Sequence, residues 1–383
     1  MGETQGQGVR VAMSILYTVH VDLGPRSYPV YIGHDILMEV GDLFRRHTLG
    51  RKMAVVSDEN VARLYLGEVV EALREAEYKP VPVVVPPGEA SKSVEVADRI
   101  YEHLILARLD RGSTVVALGG GMVGDLAGFV AATFLRGIAF VQLPTSFLAF
   151  VDASVGGKVA VNHRLGKNLI GAFHQPRFVA IDVAVLRTLP ERELRAGLVE
   201  AVKHSVIRDE ELFGFLEENV ERLLAGEASP ELWAELVARN VRIKAEVVSQ
   251  DEREESGLRM ILNYGHTVGH ALETLTGYSR FLHGEAVALG MVAAGAIAQE
   301  KGLLSSEDRS RQDRLLSKFP LPGMEGISDD EVFEQMHSDK KVREGMVRFV
   351  LARRIGCVEV REDVEEDEVK KGLEAVRKFL KKA

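Results

Sequence analysis

Three histidines lie close together in the second half of the sequence. His266 and His270 are four residues apart, so a helix would carry both on one face, and His283 follows 13 positions later. Each is next to a glycine, which lets the backbone approach a ligand closely. Neutral imidazole is the commonest side-chain ligand of transition metals, and catalytic zinc sites usually take three protein ligands. The cluster therefore predicts a site for one divalent metal ion.

A carboxylate is the expected third ligand of this ion. The spacing leaves three candidates open, Glu200, Glu273 and Glu285. The alternative interpretation is that the histidines cap helices or fill the core, which would be preferred for a single histidine. Three of the 11 histidines fall within 18 positions, and this density favours the metal site.

A glycine-rich segment in the first half could bind phosphate. GGGMVG at 119–124 matches the pattern G-x-G-x-x-G between a predicted strand and a predicted helix, where backbone N–H groups and the helix dipole can hold a pyrophosphate. Gln142, however, ends the next predicted strand, where the usual dinucleotide fingerprint has an acid. A tight turn without a ligand therefore explains the pattern alone equally well. Glu89 and Lys92 in one turn, and Asp58 with Asn60 at a strand end, favour a nucleotide.

Lysine and arginine recur where a solvated charge is not expected. Lys158 and Lys167 lie in glycine-rich, otherwise apolar sequence, where a lysine is expected to face an anion. The second half adds Lys203, Lys244, Arg259 and the pair Lys340 and Lys341. Each of these alone would be an ordinary charge on a helix surface. Gathered around a metal ion, they predict a pocket for an anionic, hydroxylated substrate.

Composition limits the partners and the compartment. The chain has 383 residues and a formal net charge of −9, which argues against nucleic acid or an anionic membrane as the main partner. The single cysteine, Cys357, excludes a disulfide within the chain and predicts a reducing, cytoplasmic compartment. The longest apolar run, at 286–298, is shorter than the ~20 residues that a membrane-spanning helix needs, so it predicts a buried helix.

The elements that must position these residues change in character along the chain. Val-rich strands are predicted at 16–21, 29–32, 53–57, 81–85, 114–118, 139–142 and 178–181, with helices at 61–77, 94–107 and 123–134 between them. This alternation predicts a Rossmann-like parallel sheet covered by helices. Later segments predict helices at 193–207, 210–224, 230–249, 261–276, 285–301 and 365–382, with a small strand pair within 346–360.

These elements predict three parts of the chain. Residues 1–10 form a flexible tail, residues 11–190 an α/β domain, and residues 191–383 a mainly α-helical domain. The active site is expected in the cleft between the two domains.

Five segments resemble the 3-dehydroquinate synthase family of sugar phosphate cyclases. They are GGGMVGDLAGF, PTSFLAFVDASVGGKVAVNHRLGKNLIGAFHQP, GLVEAVKH, GLRMILNYGHTVGH and LHGEAVALGM. The resemblance runs from about residue 31 to residue 359, and the five segments together are far more specific than any one motif. Departures are mild: Ser146 and Ala153 stand where the family often has Thr and Ser, and neither removes a charged group.

The resemblance implies a reaction, cofactors and partners. The reaction would be the conversion of 3-deoxy-arabino-heptulosonate 7-phosphate to 3-dehydroquinate and phosphate, in the shikimate pathway to aromatic amino acids. In the family it passes through transient oxidation with NAD, phosphate elimination, reduction, ring opening and intramolecular aldol closure. The implied cofactors are NAD, held by the domain at 11–190, and one divalent ion, zinc or cobalt. The implied partners are a small phosphorylated sugar acid and a second copy of the chain in a homodimer.

The resemblance also implies site residues. The metal ligands would be Glu200, His266 and His283. The residues that bind NAD would be Asp58, Asn60, Glu89, Lys92, Gly119, Gly120, Gly121, Asp125, Thr145, Ser146, Lys158, Lys167 and Thr188. Substrate binding and chemistry would fall to Asp152, Lys158, Asn168, Lys203, Lys244, Arg259, Asn263, His270 and Arg136, together with one of Lys340 and Lys341. His270 would stay off the metal and relay protons, and Arg136 would reach the phosphate, with the neighbouring subunit as one possible source. No protein base is assigned, because the departing phosphate can act as the base.

Three other functions are weighed against this one. Another sugar phosphate cyclase, making an inosose or a valiolone, would share the fold, NAD and the metal, but the retained Lys244, Arg259, Asn263 and His270 favour the dehydroquinate reaction. A metal-dependent polyol dehydrogenase would release NADH. A non-catalytic NAD- or metal-binding regulator would have no need of Lys158, Lys203 and His270 together.

Overall fold

The first half of the chain alternates strands and helices, as its Val-rich pattern predicts. The computed structural model describes residues 15–338 and 347–382, so the predicted tail at 1–10 and the pair Lys340 and Lys341 lie outside the described residues. Strands β1–β9 are Ile15–Val21, Tyr28–Gly33, Lys52–Asp58, Lys79–Val85, Thr114–Gly119, Ala139–Pro144, Lys158–His163, Gly166–Phe173 and Val179–Asp182. Helices α1–α5 are Val40–Arg46, Glu59–Val61, Gly67–Glu75, Val94–Leu106 and Gly121–Thr133.

Seven of these strands form the main sheet, in the order β1-β2-β9-β6-β5-β3-β4. The edge strand β1 pairs antiparallel with β2, and every other neighbouring pair runs parallel. The prediction of a parallel, Rossmann-like sheet is therefore confirmed, with β1 as the exception. Because parallel strands end at one edge of a sheet, the loops after β3, β4, β5, β6 and β9 meet there.

Alternate side chains of the strands enter two separate hydrophobic cores. Val56 and Val115 pack with Ile100 of α4 and Leu126 of α5 on one face of the sheet. On the opposite face, Met53 and Val55 belong to a larger core that continues into the second half of the chain. This division follows from the strand geometry, because successive side chains point to opposite faces.

A β-hairpin in the first half was not predicted from the sequence. Strands β7 and β8 pair antiparallel with each other and stand apart from the main sheet. Much of β8 is exposed, including Leu169 and Phe173. The pattern was missed because glycines and charges interrupt the alternation that predicts a strand. The hairpin carries Lys158, Lys167 and Asn168.

The second half is mainly helical. Helices α6–α13 are Glu191–Arg208, Glu210–Leu224, Pro230–Gln250, His266–Leu275, His283–Glu300, Ser306–Leu316, Asp329–Ser338 and Glu366–Leu380. Strands β10 and β11, Phe349–Arg354 and Cys357–Arg361, form the predicted pair. Helix α10 is buried along nearly its whole length, as its Ala- and Gly-rich sequence predicts. None of the helices described for residues 15–338 and 347–382 is long and apolar enough to cross a membrane. The division of the chain at residue 190 stays a prediction.

The prediction of one continuous helix at 261–276 was wrong. A 3-10 turn at Leu258–Asn263 ends before α9, and Gly265 between them has a φ of +79°. This left-handed conformation is one that glycine adopts readily. A Cβ at Gly265 would also lie 2.7 Å from the backbone oxygen of Val287 in α10. The break therefore lets the start of α9, with His266, pack directly against α10.

Helices α6 and α10 cross at very close range. A Cβ built on Gly284 would lie 1.8 Å from the backbone oxygen of Ala196 in α6. Only a glycine fits at this crossing without moving one of the helices. The contact sets the distance between Glu200 on α6 and His283 at the start of α10.

We expect Gly284→Ala to destabilise the protein by pushing these two helices apart. Overpacking of this kind typically costs about 1–3 kcal/mol, so the free energy of unfolding in urea should fall by about that amount. Gly214→Ala in α7 is the matched control, because a Cβ there meets nothing within 4 Å. Alanine favours a helix over glycine by about 1 kcal/mol, so the control should be as stable as the parent or more stable. Equal stabilities for the two variants would contradict this account of the crossing.

Candidate functional site

Most of the residues that were predicted to bind NAD gather at the carboxyl edge of the parallel sheet, whereas Lys158 and Lys167 lie on the β7–β8 hairpin. Asp58 ends β3 and Asn60 follows it, Glu89 and Lys92 follow β4, and Gly119 ends β5 before Gly120, Gly121 and Asp125. Thr145 and Ser146 follow β6, and Thr188 ends the 3-10 turn after β9. Open parallel sheets bind ligands at this edge, because the backbone N–H groups of the following turns and helices point there.

The glycine turn after β5 leaves room for an anion at the start of α5. Gly120 is the N-cap of α5, and no side chain caps the helix there. A Cβ on Gly120 would lie 3.4 Å from Ser146 Oγ, and a Cβ on Gly121 would lie 3.2 Å from Ala153 Cβ. The open N–H groups and the positive end of the helix dipole suit a phosphate group.

Lys92 connects this turn to the β7–β8 hairpin. Its buried Nζ donates to Asp125 Oδ2 and Asn168 Oδ1, both at 2.5 Å. Asn162 of the hairpin donates to Glu89 Oε1 at 2.7 Å. Burial raises the pKa of Asp125 even though Lys92 opposes that shift. Three segments that were predicted to contact NAD or substrate are thus held together by one polar network.

Some predicted cofactor residues also have local structural partners. Asp58 caps α2, since its Oδ1 accepts from the backbone N–H of Asn60 at 2.9 Å. Thr188 shares a short hydrogen bond with Tyr65, which lies beyond β3. Thr145 is buried and donates its backbone N–H to Gly119 O at 3.0 Å. These contacts fix the loops at the sheet edge.

Glu200, His266 and His283 converge in the second half. Each offers one ligand atom, and the three atoms all lie within 4.8 Å of one another. Glu200 is on α6, His266 opens α9 and His283 opens α10. His270 lies one helical turn after His266, with its ring centroid 5.1 Å from that of His266 and 5.9 Å from that of His283. The four residues form a single cluster.

Neighbouring groups orient the three converging side chains. His266 Nδ1 donates to the backbone oxygen of Tyr264 at 3.1 Å, which turns Nε2 toward the cluster. His283 Nδ1 hydrogen-bonds Glu273 Oε2 at 3.2 Å, so its Nε2 faces Glu200 Oε1 at 3.8 Å. A partner on the second ring nitrogen is what fixes a histidine as a metal ligand.

Glu200 offers an oxygen for which an ion would be the natural partner. Its carboxylate is fully buried, and Lys203 Nζ binds Oε2. Within the described residues, Oε1 is buried and has no hydrogen-bond partner. A buried, unpaired carboxylate oxygen is costly unless a cation completes its contacts. Two imidazoles and one carboxylate form a donor set that fits zinc.

The structure separates the three carboxylates that spacing left open. Glu285 is bound by Arg192 at 2.7 and 2.8 Å and caps α10 through the N–H of Leu282. Glu273 is partnered by His283 Nδ1. Only Glu200 among the three presents an unpaired oxygen to His266 and His283. The geometry therefore favours Glu200 as the third ligand.

The two histidines titrate in opposite directions without an ion. Burial, aided by the charge of Lys203, holds the pKa of His266 well below its usual value, so its imidazole is neutral. Burial also lowers the pKa of His283, but the hydrogen bond and charge of Glu273 outweigh it and raise the net value. An ion that binds His283 Nε2 competes with a proton for this atom, because only the neutral ring has a lone pair to donate.

A cavity of about 810 Å³ lies beside this cluster. Its wall includes Lys158, Glu254, Asn263, His266 and His270. Lys158 pairs with Glu254, and Arg259 lies behind the wall with its guanidinium buried. Three of the predicted substrate residues, Lys158 from the hairpin and Asn263 and His270 from the helical half, thus line one cavity next to the metal cluster.

A second charged pair lies deeper, next to Glu200. Lys244 Nζ binds Asp152 Oδ1 at 2.5 Å and also the backbone oxygen of Asp152. Burial would raise the pKa of Asp152, but the charges of Lys244 and Lys203 outweigh it and hold the pKa well below the usual range. Burial lowers the pKa of Lys244 to about 8, although Asp152 opposes the shift.

His204 is a neighbour of the site that the sequence analysis missed. Its ligand atom lies within 4.8 Å of those of Asp152 and Glu200. Its Nδ1 hydrogen-bonds Asn240 Oδ1 at 3.2 Å, and its buried Nε2 has no partner among the described residues. Burial, with the charge of Lys203, lowers its pKa to about 3. The four-residue spacing from Glu200 on α6 was the signal that could have found it.

Arg136 does not join the others within one chain. It is exposed in the 3-10 turn that follows the carboxyl end of α5, whereas the glycine turn lies at the amino end. A helix of 13 residues separates the two by about 20 Å. That Arg136 of one subunit contacts the phosphate bound by the neighbouring subunit stays a prediction. Lys340 and Lys341 lie outside the described residues.

Known protein families match most of the chain. Residues 82–196 match the family model described as 3-dehydroquinate synthase N-terminal, and residues 197–342 match the model described as 3-dehydroquinate synthase C-terminal. A curated relative, 3-dehydroquinate synthase of Desulforamulus reducens, is 51% identical over 355 residues, covering 92% of this chain and 98% of the relative.

Two solved structures resemble the protein over most of both chains. The 2-epi-5-epi-valiolone synthase of Streptomyces hygroscopicus subsp. jinggangensis, with NAD⁺ and Zn²⁺ bound, has a TM-score of 0.83 at 27% identity and covers 92% of this chain and 97% of its own. A 2-deoxy-scyllo-inosose synthase, complexed with carbaglucose-6-phosphate, NAD⁺ and Co²⁺, has a TM-score of 0.83 at 28% identity and covers 94% and 100%.

We expect His283→Ala to lose the metal ion, because it removes one of three converging ligands. Metal content of protein purified in Zn²⁺ and measured by atomic emission checks this. Glu273→Gln keeps the ligand but loses the carboxylate that orients it, so the affinity for Zn²⁺ should fall by about 10- to 100-fold. Glu285→Gln is the control, because Glu285 caps α10 without facing the cluster, and it should keep stoichiometric metal. Full metal content in His283→Ala would rule out this ligand set.

Proposed function

The chain belongs to the 3-dehydroquinate synthase family, and we propose that it converts 3-deoxy-arabino-heptulosonate 7-phosphate to 3-dehydroquinate and phosphate. The enzyme would be a phosphate-eliminating lyase. The observation that carries the proposal is the convergence of Glu200, His266 and His283 beside a cavity lined by Lys158. A substrate with a carboxylate, hydroxyls and a phosphate matches this combination of cations and metal ligands.

The chain has residues that fit both cofactors. Glu200, His266 and His283 would hold a divalent ion, and the glycine turn at Gly119–Gly121 would hold the pyrophosphate of NAD. When bound, the ion would supply Lewis acidity to the substrate oxygens, and NAD a reversible hydride acceptor. The two solved cyclases contain this pair of cofactors, which supports the assignment.

Lys158 and Arg259 would bind the carboxylate end of the substrate. Arg259 is anchored for this task, since its Nη1 donates to the backbone oxygen of Glu252 at 2.8 Å. Its planar guanidinium suits a carboxylate, and Lys158 adds a mobile point charge from the hairpin. Asn263, on the same cavity wall, can donate to a hydroxyl.

Lys203 and Lys244 would offset the negative charge that develops during the reaction, and Asp152 would hold Lys244 in place. Loss of a proton from the substrate creates transient negative charge, which fixed cations in a buried site stabilise strongly. Lys244 is already fixed by Asp152, and Lys203 by Glu200. Neither lysine must reorganise when charge appears next to it.

His270 is suited to move protons within the cavity. It lies one turn from His266 but is not one of the two histidines whose ligand atoms converge with Glu200. An imidazole that binds no metal can accept and donate protons through both ring nitrogens, which a metal-bound ring cannot do. The departing phosphate remains an alternative base, so no protein base is assigned.

The remaining expectations belong to the same proposal. Arg136 of one subunit would bind the phosphate of the substrate that the other subunit holds. The homodimer would then be the functional unit. The division of the chain into an NAD-binding part at 11–190 and a metal- and substrate-binding part at 191–383 is proposed on the same basis. The lone Cys357 supports a reducing, cytoplasmic compartment.

The similarity in sequence favours this reaction over those of related cyclases. The curated relative matches the chain far better than the valiolone and inosose synthases do. A polyol dehydrogenase would produce net NADH, whereas the proposed reaction regenerates NAD⁺ in each turnover. A protein that only bound NAD or a metal would have no need of Lys203 and Lys244, each held by a carboxylate.

The proposal is tested by phosphate release from heptulosonate phosphate with NAD⁺ and Zn²⁺. We expect release without net absorbance of NADH. Lys158→Ala should lower the rate about 10²–10³-fold with normal metal content, because Lys158 would also offset the charge of the alkoxide and enolate, and removal of one such donor costs about that factor. Lys318→Ala removes a surface lysine of similar exposure, 42% against 50%, and should leave the rate unchanged. Normal turnover in Lys158→Ala, or net NADH, would refute the assignment.

The pH dependence of kcat/KM should reflect Lys244. Its pKa of about 8 means that it is charged at neutral pH and loses the charge as the pH rises through 8. We expect kcat/KM to fall tenfold per pH unit above this value, because the neutral amine no longer offsets negative charge. Lys244→Arg, whose guanidinium stays charged, should move the alkaline limb upward by more than one unit. An unmoved limb would assign the titration to another group.

A further inference from the structure

The carbonyl that orients His266 belongs to a tight turn. His266 Nδ1 donates to the backbone oxygen of Tyr264 at 3.1 Å. Tyr264 has φ and ψ of −55° and 126°, and Gly265 has 79° and −14°, which are the angles of the two central residues of a type II turn. Relative to the commoner type I turn, the peptide between these residues is rotated by about 150–170°. The orientation of His266 thus depends on one peptide group that must be held in one direction.

Tyr264 is held from its far end by Gln312. Both side chains are buried, and the Tyr264 hydroxyl donates to Gln312 Oε1 at 2.7 Å. A tyrosine side chain has only two rotatable torsions, so a bond at the hydroxyl fixes the position of the whole residue. On the other side of the turn, the backbone oxygen of Gly265 lies against α10, since a Cβ on Gly290 would be 1.8 Å from it. The turn is therefore fixed on both sides.

Gln312 also contacts the helix that carries the second imidazole of the cluster. Its Nε2 donates to the backbone oxygen of Met291 in α10 at 3.0 Å. Helix α10 begins with His283, whose ring centroid lies 5.1 Å from that of His266. One amide on α11 thus joins the elements that position both histidines.

Packing of the core does not by itself explain this polar pair. A hydroxyl and an amide are costly to bury, and apolar groups of the same shape would fill the space without that cost. The other buried residues of α11 are Leu315 and Leu316, so a third apolar residue would suit the helix. Hydrogen bonds, unlike apolar contacts, depend on direction as well as distance. The pair therefore adds a fixed orientation to the packing.

We propose that Tyr264 and Gln312 are positioning residues for the divalent ion. Their hydrogen bond holds the carbonyl that orients His266, and the bond from Gln312 to Met291 keeps this carbonyl in register with His283. The inference rests on the proposed set of metal ligands. It goes beyond that set, because neither side chain is among the converging ligands and both act through an imidazole.

Tyr264→Phe tests this role by removing only the hydroxyl. The net contribution of a hydrogen bond corresponds to about a two- to tenfold change in an equilibrium constant. The affinity for Zn²⁺, measured by competition with a chelating dye, should fall by about this factor. Gln312→Met keeps the length of the side chain and should give the same loss.

Tyr28→Phe is the matched control. It also removes a buried hydroxyl, which accepts from the backbone N–H of Gly156 at 2.9 Å. Tyr28 lies in β2, which contributes no residue to the metal cluster. We expect this variant to lose stability, read from unfolding in urea, and to keep the parental affinity for Zn²⁺.

Co²⁺ in place of Zn²⁺ reports the arrangement of the ligands, because its visible absorption depends on the angles between them. We expect shifted bands in Tyr264→Phe and Gln312→Met, and parental bands in Tyr28→Phe. A merely structural role would lower the free energy of unfolding without moving the bands. Parental bands together with parental affinity in the first two variants would overturn the proposal.

The double variant Tyr264→Phe/Gln312→Met separates orientation from packing. Replacing both partners by apolar groups should restore most of the stability that the single variants lose. The affinity for Zn²⁺ should stay reduced by the factor of one single variant, because both substitutions break the same link. Recovery of affinity together with stability, or a loss equal to the product of the two single losses, would count against the proposal.

Binding of Zn²⁺ does not require turnover, so a failure of the proposed reaction is seen separately, as absent phosphate release from protein that still binds the ion. His266→Ala is the reference for loss of a ligand. If it bound Zn²⁺ as tightly as the wild-type protein, the ligand set would fail and this inference with it. If it lost the ion while Tyr264→Phe and Gln312→Met behaved like Tyr28→Phe, only the positioning role would fail.

Discussion

The buried carboxylate of Glu200 is the constraint on which the arrangement of the site depends. A charge in the protein interior is tolerated only when opposite charges or ligands complete its contacts. Lys203 completes one oxygen, and the other faces His266 and His283. Helices α6, α9 and α10 must therefore keep one spacing. Gly265 and Gly284 make that spacing possible, since a side chain at either would strike a neighbouring backbone.

The β7–β8 hairpin supplies the other half of the site. Its strand β8 is tied to the sheet edge by Lys92, and its lysines reach toward the helical half. Lys158 pairs with Glu254, and Lys167 Nζ lies 3.7 Å from the centroid of the Tyr278 ring. Both contacts use cations that were assigned to ligands on independent grounds. The hairpin therefore connects the carboxyl edge of the parallel sheet with the metal cluster. Movement of the hairpin would change the geometry at both places.

The larger hydrophobic core extends through both halves of the chain that contribute residues to the site. The larger core includes Val55 of the sheet and Leu289 of α10 without interruption. Such packing resists sliding of one half over the other, because close-packed interiors tolerate little change in volume. The second core, under α4 and α5, also includes Val159 and Val161 of the hairpin and so supports the hairpin as well as the sheet. The site lies where the two halves meet, so its geometry is supported by the core that they share.

The sequence alone determined the type of chemistry and most of the regular elements. The spacing of hydrophobic residues located all seven strands of the main sheet and the long helices. A strand buried on both faces and a helix buried along one stripe each leave a recognisable pattern in the nearby sequence. The sequence also located the histidine cluster, since helical spacing is a local property. Tertiary structure decided what local pattern could not: that Glu200 and not Glu273 or Glu285 presents an unpaired oxygen, that Gly265 breaks the helix, and that Glu254 and His204 adjoin the site. These outcomes depend on which distant backbones approach each other, and side-chain spacing along one chain segment contains no information about that distance.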